Sequence, residues 1–269
     1  MLAMEASVLK GINYIWRLIA TAISFSLFGI GGLLLTVLVF PMLNLLYKDI
    51  DTRKRYSRKI IHKSFGMFVG MMSFFRMFDF DIDQNKDRLI KTRGKIIIAN
   101  HPTLIDVVVL LAILPHADCI VKQSLWSNPF LNGVVNAAGY IKNTQDTEAL
   151  LKACKRTLDE GYALVIFPEG TRTDKSANFK IQRGASNIAI RCDSDLVPVT
   201  IQCKPTTLTK TEAWYQIPNE KAHFLLRVGK DIKIKDFQLS NLSPSIKARR
   251  LTSYIKEYFI GENERYART

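Results

Sequence analysis

Ile96-Ile97-Ile98-Ala99-Asn100-His101-Pro102-Thr103-Leu104-Ile105-Asp106 is the stretch on which the reading of this 269-residue chain turns. Four apolar residues of β type run into Asn100-His101, and a second apolar run, Val107 to Leu114, is long enough for a helix. A histidine thus stands where a strand ends and a helix begins, with a carboxylate five residues on. Residues five apart on one helix differ in direction by about 140° at ~3.6 residues per turn. For the two side chains to meet, His101 must lie before the helix proper. Pro102, favoured at the first helical position, predicts His101 at the N-cap. Taken alone, the pair reads as a capping residue and a solvated helix position. To read it as a base and its orienting carboxylate requires further residues.

Outward from this stretch the pattern repeats. Strand-like apolar runs occur at Cys119 to Val121, Ala163 to Phe167, Leu196 to Ile201 and Phe224 to Val228. Helix-like segments separate them: Asp106 to Leu114, Phe130 to Ala138, Thr147 to Glu160 and Ala185 to Arg191. The alternation predicts an α/β fold, a mixed, largely parallel sheet flanked by helices. In such sheets ligands gather outside the carboxyl ends of the strands. His101 lies at one such end, and Phe167-Pro168-Glu169-Gly170-Thr171-Arg172-Thr173 lies at another. There Pro168 stops the strand by removing a ladder donor, and Gly170 permits a tight turn. Glu169, Thr171 and Arg172 are then lifted together at the sheet edge. An arginine fork, a hydroxyl and exposed backbone donors suit a phosphate or carboxylate.

The N-terminal third is of another kind. Leu18 to Tyr47 holds no charged side chain over 30 residues. As one helix it would be about 45 Å long, more than the ~30 Å hydrocarbon core of a bilayer requires. The run is too long for the apolar region of a signal peptide, and no A-x-A cleavage pattern follows it. Gly29, Gly31 and Gly32 in its middle allow two shapes, one tilted span or two shorter helices. A basic block follows, with Lys48, Arg53, Lys54, Arg55, Arg58, Lys59 and Lys63, and places the rest of the chain on the cytoplasmic side of the membrane. Ile61, Phe65, Phe68, Met72 and Phe75 then recur at helical spacing. The uncharged run there, Ser64 to Phe75, is 12 residues and too short to span. It fits an interfacial helix with basic side chains at the headgroups, or equally an amphipathic helix packed on the domain's own core. The expected division is residues 1–80 as membrane-anchoring helices, 81–260 as the α/β domain, and 261–269 as a polar, disordered tail.

Composition bounds the partners. Lys and Arg number 38 against 24 Asp and Glu, a formal net charge of +14. Such a balance suits nucleic acid, an anionic membrane surface or a phosphorylated substrate. The basic residues crowd beside a membrane segment and no nucleic-acid motif accompanies them, so the membrane is favoured. The four cysteines are scattered, as expected of reduced core thiols in a cytosol-facing domain. His62, His116 and His223 show no metal-ligand spacing, and no metal is expected. The nearest candidate for a nucleophile elbow, Gly184-Ala185-Ser186-Asn187-Ile188, lacks its second glycine. Neither a phosphate loop nor a dinucleotide fingerprint is present. Cys119 has no base beside it in sequence and is read as core, not as an acyl carrier.

Asn100-His101 with Asp106, followed by Phe167-Pro168-Glu169-Gly170-Thr171-Arg172, resembles the 1-acyl-glycerol-3-phosphate acyltransferase family of membrane enzymes. Lys122, Leu125, Pro129 and Gly133 look like the block after that family's second strand, and Val197-Pro198-Val199 like its last strand. The likeness covers roughly residues 90 to 205. The resemblance implies His101 as general base and Asp106 as its orienter, with no cofactor beyond an acyl-coenzyme A or acyl-carrier-protein thioester. It implies acceptor binding by Glu169, Gly170, Thr171, Arg172 and Lys142, and places Lys122, Asn100 and Thr103 on the acyl-donor side of the pocket. It implies a bacterial-type inner membrane location with the catalytic domain facing the cytoplasm. One departure bears on the acceptor. Where phosphate-using members carry an arginine after their third strand, Gly139-Tyr140-Ile141-Lys142-Asn143-Thr144-Gln145 ends in an uncharged glutamine. Lys142 offers a point charge but not a planar fork. The wording around Asn100 and Gly139 also looks like acyltransferases found with aryl-polyene pigment pathways. A lysophospholipid, a lyso-aminolipid or an aryl-polyene lipid is thus the expected acceptor class, against a non-catalytic lipid-binding protein that keeps only the fold.

Overall fold

The chain opens with a helical hairpin. Helix α1 (Leu2–Leu34) passes through a π-helical turn (Leu35–Val39) into α2 (Phe40–Leu46), and α3 (Ile50–Phe74) returns alongside. Asp49 starts the return by accepting the Thr52 N–H at 2.7 Å, an N-cap. Aromatic pairs hold the two arms antiparallel: Tyr47 with Tyr56, Phe28 with Phe65 and Phe68, and Trp16 with Phe75. The structure is a computed structural model, and it describes residues 2–173, 180–238 and 241–267.

After the hairpin come β1 (Phe78–Ile82), α4 (Lys86–Ile90), β2 (Ile96–Ala99), α5 (Asp106–Ile113) and β3 (Ala117–Val121). A short 3-10 helix (Gln123–Ser127) leads to α6 (Asn132–Ala138), β4 (Ile141–Lys142), α7 (Thr147–Asp159) and β5 (Ala163–Ile166). The chain closes with α8 (Gly184–Cys192), β6 (Leu196–Lys204), β7 (Ala222–Val228), α9 (Lys235–Gln238) and α10 (Pro244–Ala267). The strands form one sheet in the order β1-β7-β6-β2-β5-β3-β4. Among the described residues every strand pairing is parallel except β6 with β7. The mixed, largely parallel sheet flanked by helices is as the sequence predicts. Strand β2 lies between β5 and β6 and is buried on both faces: Ile97 and Ala99 join the core under the hairpin, while Ile96 and Ile98 join the one under α7, α8 and α10. A strand covered on both sides reads as a continuous apolar run, which is how Ile96 to Ala99 reads.

The N-terminal helix differs in one respect from expectation. Leu9–Leu46 is apolar enough and long enough to cross a membrane, and most of it is exposed. Yet it does not stand away from the domain. Arg17 donates to the carbonyls of Pro218, Asn219 and Glu220 at 2.7–2.9 Å, and Ser24 Oγ reaches Met77 Sδ at 3.3 Å. Farther along, Gly32 sits against the Phe130 carbonyl, where an added Cβ would come within 2.8 Å of the oxygen. The mid-helix glycines therefore do not break the helix into two. Gly32 admits the segment leading into α6.

Three further features were not expected. Strand β1 crosses the boundary placed at residue 80/81 and pairs with β7, so the sheet begins earlier. The segment from Gly261, expected as a disordered tail, continues α10 to Ala267, and residues 268–269 lie outside the described ones. Ile255 and Phe259 bury that helix against the core, and the carbonyls of Asn263 and Tyr266 accept from Gln202 Nε2 and Lys204 Nζ. Finally, Arg58 does not reach for headgroups with the rest of the basic block. It turns inward, pairs with Asp118 Oδ2 at 2.8 Å, donates to the Ala138 carbonyl at 2.8 Å and lies 4.4 Å over the Tyr162 ring. Burial pushes the Asp118 carboxyl up, and Arg58, the Cys119 N–H and Thr157 pull against that.

This buried pair joins the hairpin to the sheet, and its loss has a calculable consequence. Arg58→Ala leaves Asp118 unpaired and is expected to cost about 3–5 kcal/mol, whereas Arg58→Met with Asp118→Leu should recover most of that. Thermal unfolding of the three proteins in detergent measures it.

Candidate active site

Strands β2 and β5 run parallel in adjacent positions, with Ile98 opposite Ile166. Their carboxyl ends therefore release two turns side by side. The first carries His101 and the second carries Glu169 to Arg172.

In the first turn the helix proper starts at Asp106, not at Pro102, so His101 is not its N-cap. The chain instead makes a compact loop whose centre is the fully buried Asp106 carboxylate. One oxygen, Oδ2, accepts the Thr103 N–H at 2.8 Å and faces His101 Nδ1 at 2.8 Å; the other, Oδ1, accepts the Thr103 hydroxyl at 2.5 Å. The carboxylate on the first residue of the helix thus reaches back to both the N–H and the hydroxyl of Thr103, and ties the loop to the helix it leads into. Here the carboxylate also takes the imidazole. The condition set by helix geometry is met: His101 precedes the helix and its ring folds back on Asp106. With Nδ1 committed, Nε2 is the nitrogen left for a substrate. Burial pushes the Asp106 carboxyl up, and the donors from His101 and Thr103 oppose that. The Phe167 ring lies 4.3 Å from the imidazole centroid and backs it from the second turn.

Glu169 fastens the two turns. Its Oε1 accepts the His101 backbone N–H at 2.8 Å, and its Oε2 accepts the Thr173 hydroxyl at 2.8 Å. The Thr173 N–H returns a bond to the His101 carbonyl at 2.7 Å. Burial raises the Glu169 carboxyl, opposed by these donors. Gly170 has φ +71, and a Cβ there would meet Gln182 Nε2 at 2.5 Å, so the turn requires glycine.

A cleft of about 360 Å³ opens at His101. Lys122, Gly170, Thr171, Arg172 and Gln182 supply its polar wall, while Ile120, Ile166 and Ile188 supply an apolar one. Arg172 spends one nitrogen, Nη1, on the carbonyls of Leu208 and Thr209 at 3.0 and 2.8 Å. Other residues singled out from the sequence sit elsewhere. Asn100 is buried and exchanges two bonds with Ile201, donating to its carbonyl and accepting its N–H, both at 2.7 Å. It staples β2 to β6. Thr103 is buried beneath His101 as a donor to Asp106. Lys142 is exposed at the end of β4 with its ammonium 5.8 Å above the Trp126 ring, and it is Asn143 that reaches the cleft.

Sequence reasoning missed Gln182, which nothing in its surroundings marks. It also missed Thr103 as a support for Asp106, although the Thr-x-x-Asp spacing is a capping-box signal. Among the described residues no group of three or more His, Cys, Asp or Glu is placed to hold a metal ion.

Residues 82–202 match the family model described as Acyltransferase. Over these residues the chain is similar to that family. The 1-acyl-sn-glycerol-3-phosphate acyltransferase of Helicobacter pylori is 35% identical over 116 residues, covering 41% of this chain and 49% of the relative. The enzyme of the same name from Bacillus subtilis is 30% identical over 122 residues, covering 44% and 60%. The human 1-acyl-sn-glycerol-3-phosphate acyltransferase beta is 26% identical over 144 residues, covering 50% of each chain. The match thus spans about half the length of these relatives. The crystal structure of the 1-acyl-sn-glycerophosphate acyltransferase PlsC from Thermotoga maritima shares the fold, with a TM-score of 0.64 at 17% identity over 93% of this chain and 97% of that one.

The cleft at His101 also carries a thiol, Cys119, whose burial pushes its pKa well up. So little thiolate at neutral pH predicts that maleimide labels Cys119 only after denaturation, and mass spectrometry of labelled peptides reads this out.

Proposed function

We propose that the chain transfers a fatty acyl group from an acyl-carrier-protein or coenzyme A thioester to the hydroxyl of a lysolipid such as 1-acyl-glycerol-3-phosphate. The 2.8 Å contact of His101 Nδ1 with buried Asp106, at the mouth of a cleft with one apolar and one cationic wall, is the observation that carries this reading. In it, His101 Nε2 removes the acceptor's hydroxyl proton as that oxygen attacks the thioester carbonyl. The C–O ester bond forms and the C–S bond breaks. The carrier thiolate leaves and takes the proton back from the imidazolium. Asp106 holds the tautomer and stabilises the imidazolium while it exists. Because the hydroxyl attacks the thioester directly, no acyl-enzyme is required.

The acyl chain fits the wall of Ile120, Ile166 and Ile188, and the acceptor's anionic group fits Lys122, Thr171 and the remaining nitrogens of Arg172. Glu169 acts through His101 as a positioning residue. A phosphate-free acceptor, such as a lyso-aminolipid or an aryl-polyene lipid, is the second reading. It is favoured by Gln145 and Lys142, which are both exposed and outside the cleft.

Thioester-release assays over a panel of lysolipids test the proposal. His101→Ala and Asp106→Asn, still folded, are expected to lower turnover by about 10²–10⁴-fold. Undiminished release in His101→Ala would leave the fold as a lipid-binding protein without this chemistry.

The hairpin supports a membrane location, in bacteria the inner membrane with the domain on the cytoplasmic side. One face of α1, the π-helical turn and α2 is fixed to the domain, and the other exposes Ile23, Leu27, Ile30, Val37, Leu38 and Leu45. A helix bound along its length to a globular domain cannot stand across a bilayer without dragging polar surface in. It fits lying in the interface plane. Ile23→Asp with Ile30→Asp, both at exposed positions, should therefore reduce flotation with liposomes without lowering the melting temperature.

A further inference from the structure

Beside α6, on the hairpin side of the domain, two cavities open that share no lining residue with the cleft at His101. The first, about 560 Å³, is apolar, with Leu34, Phe65, Phe68, Met71 and Leu131 among its walls. The second, about 350 Å³, is lined by Thr36, Asn44, Arg53, Lys54 and Gly133. The two adjoin along the chain: Leu35 and Val134 line the first, and Thr36 and Gly133 the second.

Arg53 and Lys54 are half-buried here, unlike Lys59 and Lys63 on the same helix, which are exposed. Arg53 Nη1 donates to Asn44 Oδ1 at 3.3 Å. A guanidinium has five donors, so most of this fork is open to another acceptor. The Lys54 stem lies against Gly139, and its ammonium is 3.9 Å from Asp51, a solvated carboxylate 84% exposed. Exposed apolar side chains accompany this second cavity: Ile50 lines it, and Met42, Leu45 and Leu46 lie on α2, the helix that contributes Asn44. Two cations within a cavity, these apolar side chains and an apolar cavity next door together match an amphiphile with an anionic head. They do not match a soluble anion, which has no use for the apolar side chains.

We propose that Arg53 and Lys54 form a headgroup site for one anionic phospholipid of the bilayer, separate from the lysolipid bound for acylation. The site rests on the membrane placement proposed above and not on the chemistry at His101.

The full-length protein released from detergent micelles is examined by native mass spectrometry with phosphatidylglycerol, with phosphatidylcholine of the same chains, and with glycerol phosphate. The wild type should retain one phosphatidylglycerol in preference to phosphatidylcholine. Arg53→Gln with Lys54→Gln should weaken that retention about tenfold or more, while Lys59→Gln with Lys63→Gln, which removes the same charge outside the cavity, leaves it unchanged. Equal loss in both double variants would make the effect one of charge density and overturn the site. So would glycerol phosphate held as tightly as the lipid. The wild-type comparisons need no variant to fold. Retained flotation on liposomes with no selective phosphatidylglycerol sinks this site alone, whereas loss of flotation on every liposome sinks the membrane placement with it.

Discussion

The parallel pairing of β2 with β5 is the constraint on which the candidate site depends. Parallel neighbours end on the same side of a sheet, so two turns far apart in sequence emerge together. Neither turn could hold its shape alone. The first carries a carboxylate at its centre that would be costly to bury without the donors of Thr103 and the imidazole. The second carries Glu169, which would be equally costly without the His101 N–H and the Thr173 hydroxyl. Each buried carboxylate is satisfied by the loop it shapes, and the loops are fastened by the second of them. Loss of a partner would leave a buried acceptor unmet, a penalty of about 1–3 kcal/mol, more where the group is charged.

This division of labour sharpens what the carboxylates do. Asp106 touches the imidazole itself, whereas Glu169 holds the backbone from which the imidazole springs. The sequence motif groups Glu169 with Thr171 and Arg172, but the structure sends it to the other side of the turn. Gly170 makes the separation possible. The chain reverses at that residue, placing Glu169 inward and Thr171 and Arg172 on the cleft.

How much of this could be read beforehand follows from the range of the interactions. The strand, turn and helix around His101 are local, and helix geometry told where His101 must lie if its ring was to meet Asp106, while the reading of the two as a pair needed the second turn and the family resemblance. The parallel sheet was legible because βα alternation has few solutions. Arg58 was not legible, since a cation in a basic block looks like its neighbours until Asp118, sixty positions away, lies against it. Asn100 was misread for the same reason: its partner is the backbone of Ile201, on a strand that only the sheet order brings adjacent. The C-terminal helix was missed because Gly261 and the polar residues after it suggest fraying. Their carbonyls find donors on β6 that no local pattern announces.

The hairpin and the cleft are not independent bodies, and the link between them is the segment connecting β6 to β7. At one end of that segment the Leu208 carbonyl accepts from the Leu104 N–H, in the His101 turn, and from Arg172 Nη1, in the second turn. At the other end Pro218, Asn219 and Glu220 surrender their carbonyls to Arg17 of α1. Leu208 itself is buried with φ +54, a conformation an L-residue holds only when its surroundings fix it. The two donors on the Leu208 carbonyl supply such fixing at that end, and at the other end three carbonyls meet one guanidinium, because an arginine taken from water into a protein interface needs its donors met. The long apolar helix, exposed over most of its length, is therefore also part of the domain's own structure. A domain held to its long apolar helix at the same segment that braces the His101 and Glu169 turns has its cleft in a constant position relative to that helix.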